Sequence, residues 1–321
     1  MQRSFEDLTT LFNEYLHQYS IGEEPKGLYE PAQYILDLGG KRLRPILVLA
    51  ACELYGTAAE EALPAALAVE VFHNFSLVHD DIMDKAPMRR GKSTVHEKWN
   101  LNTAILSGDA MLVEAYRLLC EAPQALIPEL LYSFSAMARQ LCEGQQLDME
   151  FEERTQVSTS EYLEMIEGKT SVLIGCGLQL GGIIGGGKED ALNHLYTFGL
   201  ELGLAFQIMD DWLDCFGDSK LTGKQTGGDI LTGKHTLLHI LAKENKDFEV
   251  KLSDALSLTN PEQRVQSVKD IFIQSGAAEA CKAKAQQLYQ SSLAHLDKAI
   301  PKGVNSDPLK QFAYSLVERN F

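Results

Sequence analysis

The 321-residue chain carries 29 basic and 45 acidic side chains, a formal charge of −16, which argues against a general nucleic-acid binder because a polyanionic backbone needs a basic footprint. With 45% hydrophobic and 23% charged residues, 25 Gly and 10 Pro, the composition is that of a globular protein and excludes collagenous or disordered chains. A chain this long buries roughly three quarters of its unfolded surface without needing staples.

In chain order, Met1 to Thr10 carries Glu6 and Asp7 and no apolar core of the kind a secretory leader needs, so a cytoplasmic location is expected. A break is predicted at Pro25-Lys26-Gly27. From Leu63 to Val78 apolar residues fall on all sides, which predicts a central helix buried around its whole circumference. After a break at Lys85 to Gly91, helical periodicity returns over Ala104–Cys120, Leu126–Asp148 and Tyr162–Ile184, with breaks at Thr155 to Ser160 and Gly185-Gly186-Gly187. A second core helix is predicted over Tyr196–Phe216, followed by a polar run from Gly217 to Gly233. Helical patterns at Ala277–Leu296 and Asp307–Arg319 carry no chemistry and read as scaffold. No stretch alternates well enough to predict a strand, and none reaches the ~18 apolar residues of a membrane span. The reading is all-α, one helical bundle domain over residues 1–321. The six cysteines stand singly with no C-x-x-C pair, so they are expected to be buried small hydrophobes.

The chemistry lies in two triplets, Asp80-Asp81-Ile82-Met83-Asp84 and Asp210-Asp211-Trp212-Leu213-Asp214. Both are D-D-x-x-D. On a helix the first and last Asp share a face, where like charges repel by about 0.2–0.5 kcal/mol. Near a helix C-terminus the macrodipole adds a further ~0.3–1 kcal/mol against an anion. A hard divalent cation relieves both, and Mg²⁺ suits the pattern because one or two carboxylates hold it alongside phosphate oxygens and water. A pair of solvated acidic faces is the alternative; the duplication on two apolar helices disfavours it.

Basic residues accompany the triplets. Gly39-Gly40-Lys41-Arg42-Leu43-Arg44-Pro45 and Arg89-Arg90-Gly91-Lys92 suit phosphate oxygens, Arg by its planar fork and Lys as a mobile point charge. Further Gly-Lys pairs occur at Gly168-Lys169-Thr170, Gly223-Lys224 and Gly233-Lys234. A P-loop is excluded because Leu163 and Ala86 stand where its first glycine belongs. His235 and His239 have a chelating spacing but no evident third ligand. His73 lies on the same apolar helix as the first triplet.

In order and spacing, the Gly39–Pro45 motif, His79 to Asp84 with Arg89-Arg90-Gly91, Gly168-Lys169-Thr170 and Phe206 to Asp214 resemble trans-isoprenyl diphosphate (polyprenyl) synthases over nearly the whole chain. The resemblance implies an isoprenoid-synthase helical bundle, usually a homodimer, with the acidic groups facing each other across a deep cavity. It implies that Asp80 and Asp84 hold two Mg²⁺ ions and Asp210 a third, with Asp81, Asp211 and Asp214 completing the groups, the last two through water. Arg89, Lys169, Lys224 and Lys234 would grip the allylic diphosphate, and Lys41, Arg44, His73 and Arg90 isopentenyl diphosphate. Ionisation of the allylic C–O bond would give a carbocation that the isopentenyl double bond attacks. Thr170 and Gln207, with any main-chain carbonyl freed by a kink at Gly168, would stabilise that cation.

Phe75 stands five positions before Asp80, about 7.5 Å deeper along a helix, and is expected to form the cavity floor; the small Ser76 leaves room beside it. In the family an aromatic at this place with an uninterrupted triplet is similar to synthases making geranylgeranyl diphosphate (C20), with farnesyl diphosphate (C15) or a longer product as the alternative. A terpene cyclase would lack Lys41 and Arg44, and a non-catalytic synthase subunit typically loses an acidic group.

Overall fold

The computed structural model describes residues 3–217 and 227–317, and the described chain is helical almost throughout, as the periodicity predicts. It folds into two compact units interleaved along the sequence: Met1–Ala136, Cys176–Leu195 and Ala299–Asn305 in the first, Met137–Gly175, Tyr196–Lys298 and Ser306–Phe321 in the second.

The first unit contains α1 (Phe5–Gln18), α2 (Lys26–Asp37), α3 (Leu43–Leu54), α4 (Leu63–Met83), α5 (Val95–Lys98), α6 (Leu101–Leu119) and the start of α7 (Ile127–Glu153). The predicted break at Pro25 to Gly27 ends two residues earlier, because Pro25 is the N-cap of α2 and the helix takes up Lys26 and Gly27. Pro64 stands in the first turn of α4, where its fixed φ suits the helix. Leu67, Val71, Phe72, Phe75 and Val78 are all buried along it, each worth about 1.5–3 kcal/mol. It packs chiefly on α6 and also on α3. Gly108 of α6 has no room for a Cβ because the His79 ring occupies that space. Helix α4 ends at Met83, so the first triplet occupies its last turn and its C-cap.

The sequence predicts no strand, yet β1 (Met88–Arg89) pairs antiparallel with β2 (Lys92–Ser93). Strands of two residues are too short to show alternation. The turn between them is Arg90-Gly91, both at positive φ (51° and 74°), as a two-residue hairpin turn requires.

The second unit holds the remainder of α7, then α8 (Thr159–Ile166), the first residues of α9 (Val172–Gly185) and most of α10 (Glu189–Phe216). The single helix predicted over Tyr162–Ile184 is interrupted by a π-helical segment, Glu167–Ser171. Two glycines make that possible. A Cβ on Gly168 would lie 2.9 Å from the Gln140 carbonyl oxygen, and one on Gly144 would overlap the Lys169 backbone nitrogen. Beyond α10 come α11 (Gly228–Thr232), α12 (Leu237–Glu244), α13 (Lys246–Leu256), α14 (Pro261–Gln274), α15 (Ala277–Ala299) and α16 (Asp307–Val317). Among the described residues, no helix is long and apolar enough to cross a membrane.

Candidate active site

In the first unit the basic motifs converge on α4. Arg44 donates through Nη1 to His73 Nε2 at 3.3 Å. Arg90 donates through Nη1 to the Gly39 carbonyl, and a Cβ on Gly40 would lie 3.0 Å from its Nη2. Burial, with Arg44, Arg90, Arg89 and Arg42 close by, holds the His73 imidazole well below its ordinary range. It is therefore neutral at pH 7, and Nε2 is the acceptor that the Arg44 contact needs. Lys41 lies exposed on the same loop. Among the described residues the non-glycine positions with positive φ are Arg42, Lys85 and Arg90. All three belong to the basic loops or follow the first triplet, and backbone strain of this kind concentrates at working sites.

The first triplet divides by environment. Asp81 is buried, and Arg89 donates to both its oxygens through Nε at 3.0 and 2.9 Å while Nη2 lies 2.8 Å away. Asp80 is half-buried and Asp84 exposed.

In the second unit the inner Asp is again held by side chains, although all three aspartates are half-buried. Asp211 accepts from the Tyr162 hydroxyl at 2.7 Å and from Gln207 Nε2 at 2.8 Å, and burial pushes its carboxyl up to about 7. Asp214 accepts the Asp229 backbone N–H at 3.0 Å. Asp210 is half-buried. Lys169, on the π segment, pairs with Asp148 at 2.5 Å, and Thr170 donates to Gln207 Oε1 at 3.2 Å. Lys234 is exposed, its backbone N–H bonded to the Asp229 carbonyl at 3.0 Å. Lys224 lies outside the described residues.

In the first unit Phe75 is buried, its ring 4.8 Å from His79 and 5.3 Å from Phe72. Phe72 meets Phe134 edge to face at 5.1 Å, and Phe134 meets Tyr116 likewise at 5.2 Å. Ser76 turns its hydroxyl back to the His73 carbonyl at 2.8 Å, so position 76 itself contributes no ring. His235 and His239 stand edge to face, 5.1 Å apart, and His235 Nε2 lies 2.9 Å from the Arg154 carbonyl.

Sequence reasoning missed Asp148, Tyr162 and Asp229, which carry no local signal. It also missed the pairing of Arg42 with Glu70, although a lone Glu in the apolar run of α4 was such a signal. Among the described residues, no three His, Cys, Asp or Glu side chains form a ready metal cage. The donor set nonetheless fits magnesium, which takes one or two carboxylates and completes its shell with phosphate and water. The inner Asp of the first triplet is held by Arg89 and that of the second by Tyr162 and Gln207, and Asp84 is the most exposed of the six.

An all-helical fold with aspartate triplets on two helices, arginines clustered by one and a lysine near the other defines an enzyme that handles diphosphates. The profile of the polyprenyl synthetase family matches residues 25–274, and the chain belongs to that family, whose members are prenyltransferases. It is 38% identical over 316 residues to a geranylgeranyl pyrophosphate synthase of Geoglobus acetivorans, covering 98% of each chain. A geranylfarnesyl diphosphate synthase of Natronomonas pharaonis is 34% identical, with 97% of this chain and 95% of that one covered. A crystal structure of a geranylgeranyl pyrophosphate synthase superposes with a TM-score of 0.93 at 45% identity, covering 99% of this chain and 100% of that one.

Proposed function

We propose that the protein condenses isopentenyl diphosphate with allylic diphosphates, head to tail, to geranylgeranyl diphosphate, working as a homodimer with magnesium. The observation that carries this reading is the buried Phe75 ring, packed against Phe72 five positions before an uninterrupted first triplet. Relatives named for geranylgeranyl diphosphate over nearly the full chain support it.

In this reading Asp80 and Asp84 on α4, and Asp210 on α10, would each hold magnesium for the allylic diphosphate. Magnesium supplies positive charge to the leaving group when bound. Arg89, Lys169 and Lys234, with Lys224, take up further charge as the C–O bond breaks. Asp81 orients Arg89, and Asp214 is held by the Asp229 N–H. Gln207 gives its amide hydrogen to Asp211, so its carbonyl end, with Thr170, is left to face positive charge on the allyl fragment. Lys41, Arg44, His73 and Arg90 hold isopentenyl diphosphate. The apolar side chains of α4 ahead of the first triplet, Phe72, Phe75 and Val78, would help exclude the water that quenches a cation. The proton released on coupling passes to the departing pyrophosphate. Each elongation buries five carbons at ~0.8 kcal/mol per methylene, so growth continues until the chain meets the Phe75 ring.

Purified protein supplied with Mg²⁺, isopentenyl diphosphate and dimethylallyl, geranyl or farnesyl diphosphate is expected to give mainly the C20 diphosphate by mass spectrometry. A dominant C15 or C25 product rejects the chain-length assignment. Hydrocarbon formed without isopentenyl diphosphate indicates a cyclase, and inertness without a second protein a subunit. Phe75→Ala is expected to shift product beyond C20; an unchanged distribution removes Phe75 as the floor.

A further inference from the structure

Arg42 stands amid the basic motif, yet its guanidinium is turned away from solvent. The side chain is buried, and so is Glu70, the carboxylate it meets. Its Nη1 donates to Glu70 Oε1, and its Nη2 donates to the Leu36 carbonyl at 2.5 Å. Asn74 Nδ2 fixes the same Glu70 oxygen at 2.9 Å and also bonds the Glu70 carbonyl at 2.8 Å. Three helices meet at this one side chain: the last turn of α2 through Leu36, the middle of α4 through Glu70, and the start of α3, whose N-cap is Arg42 itself. The backbone there is left-handed, φ 50° and ψ 32°, a conformation that strains a non-glycine residue and persists only where surroundings enforce it.

The neighbours of Arg42 explain what that conformation achieves. Lys41 precedes it and Arg44 follows two residues later, and Gly39 and Gly40 approach through positive φ of 77° and 141°. A change of φ at residue 42 rotates Lys41 relative to α3, which carries Arg44. The Arg44 contact to His73, on the same helix as Glu70, is thereby kept in register with Lys41.

We infer that the Arg42–Glu70–Asn74 latch is a positioning device that sets Lys41 and Arg44 for the diphosphate of isopentenyl diphosphate, while Arg42 itself never touches substrate. This rests on the proposed assignment of Lys41, Arg44, His73 and Arg90 to that diphosphate. A buried ion pair is weak evidence for a purely stabilising role, since apolar residues of similar volume are often as good or better there. That fact supplies the test.

The variants are Glu70→Gln, Arg42→Met and the double Arg42→Met/Glu70→Met. Steady-state kinetics give KM for each substrate, and calorimetric titration of isopentenyl diphosphate into protein in EDTA reads the basic site without metal. The single Met variant leaves a buried charge unpaired and can fail to fold. The double variant removes both charges, so it is expected to melt within a few degrees of wild type. In it, KM for isopentenyl diphosphate and the metal-free Kd are each expected to rise roughly tenfold, with the allylic KM within about twofold. Glu70→Gln, which keeps an acceptor for Arg42, is expected to fall between. A double variant that is folded with unchanged affinity overturns the latch, as does an equal rise in both KM values. If wild-type protein binds isopentenyl diphosphate in EDTA but forms no product, the functional reading fails while the Kd comparison still judges the latch. Absence of metal-free binding to wild type overturns the latch as well.

Discussion

Tyr162 and Asp211 meet at 2.7 Å inside the second unit, and this contact decides what Gln207 can do. The Tyr162 hydroxyl donates to one carboxylate oxygen and Gln207 Nε2 to the other, so the amide cannot flip without placing its carbonyl against Asp211. Tyr162→Phe removes one of the two donors to a buried carboxyl. It is expected to lower stability by about 1–3 kcal/mol and to lower kcat roughly tenfold with little change in either KM, because the carbonyl end loses its orientation rather than the substrates their grips. Urea denaturation and steady-state kinetics read the two effects; a variant with wild-type kcat would show that Gln207 needs no such hold. The triplets themselves were legible, since D-D-x-x-D is a local spacing. The partners were not: Asp211 finds Tyr162 49 residues away and Arg42 finds Glu70 28 residues away, and packing, not spacing, selects them. Arg89 shows the same limit, because the sequence offers it as a free cation and the fold gives it to Asp81.

Helices α4, α6, α7 and α10 follow from apolar rhythm because each buries a wide face, and that signal survives whatever the neighbours are. The π segment at Glu167–Ser171 was only half visible: Gly168 suggested a kink, but the cause is the backbone of α7 at Gly144 pressing where no Cβ fits. Helix α12 shows how an element's docking becomes a pH dependence. His239 lines a small cavity with Asp229, Lys234, Thr236, Leu256, Val268 and Phe272. Burial, then His235 and Lys243, brings its imidazole down to about 4. The folded group is thus neutral through the range in which the unfolded chain, with an ordinary value near 6.5, takes up a proton. Stability present above that value is lost as pH falls toward 4. Between pH 7 and pH 5 the loss from this side chain is about 2 kcal/mol. In His239→Gln the urea midpoint is expected to fall less over that interval than in wild type; parallel pH profiles would show that His239 protonates without undocking α12.

A net charge of −16 per chain makes self-association unfavourable except through a face with few charges, because repulsion between two such molecules acts over a Debye length of ~8 Å at physiological salt. Helix α6 offers such a face. Its inner side, Ala104, Ser107, Met111, Ala115 and Leu118, is buried, whereas Leu101, Ile105, Leu106 and Val113 are 41–68% exposed and Tyr132 on α7 is 79% exposed. A helix apolar on both sides is expected to be covered on both, and in the proposed homodimer the second copy covers the outer one. Leu106→Glu/Val113→Glu places two carboxylates on that face and leaves the inner side intact, so the chain is expected to keep its helical circular dichroism and to sediment at 35.6 kDa, against about twice that for wild type. Activity is expected to fall with it. Helix α6 presses on α4 where Gly108 receives His79, the residue before Asp80, so loosening α6 frees the turn that carries the first triplet. A monomeric variant with full turnover would separate assembly from catalysis, and a wild-type chain that sediments at monomer mass would leave the outer face of α6 to a different partner.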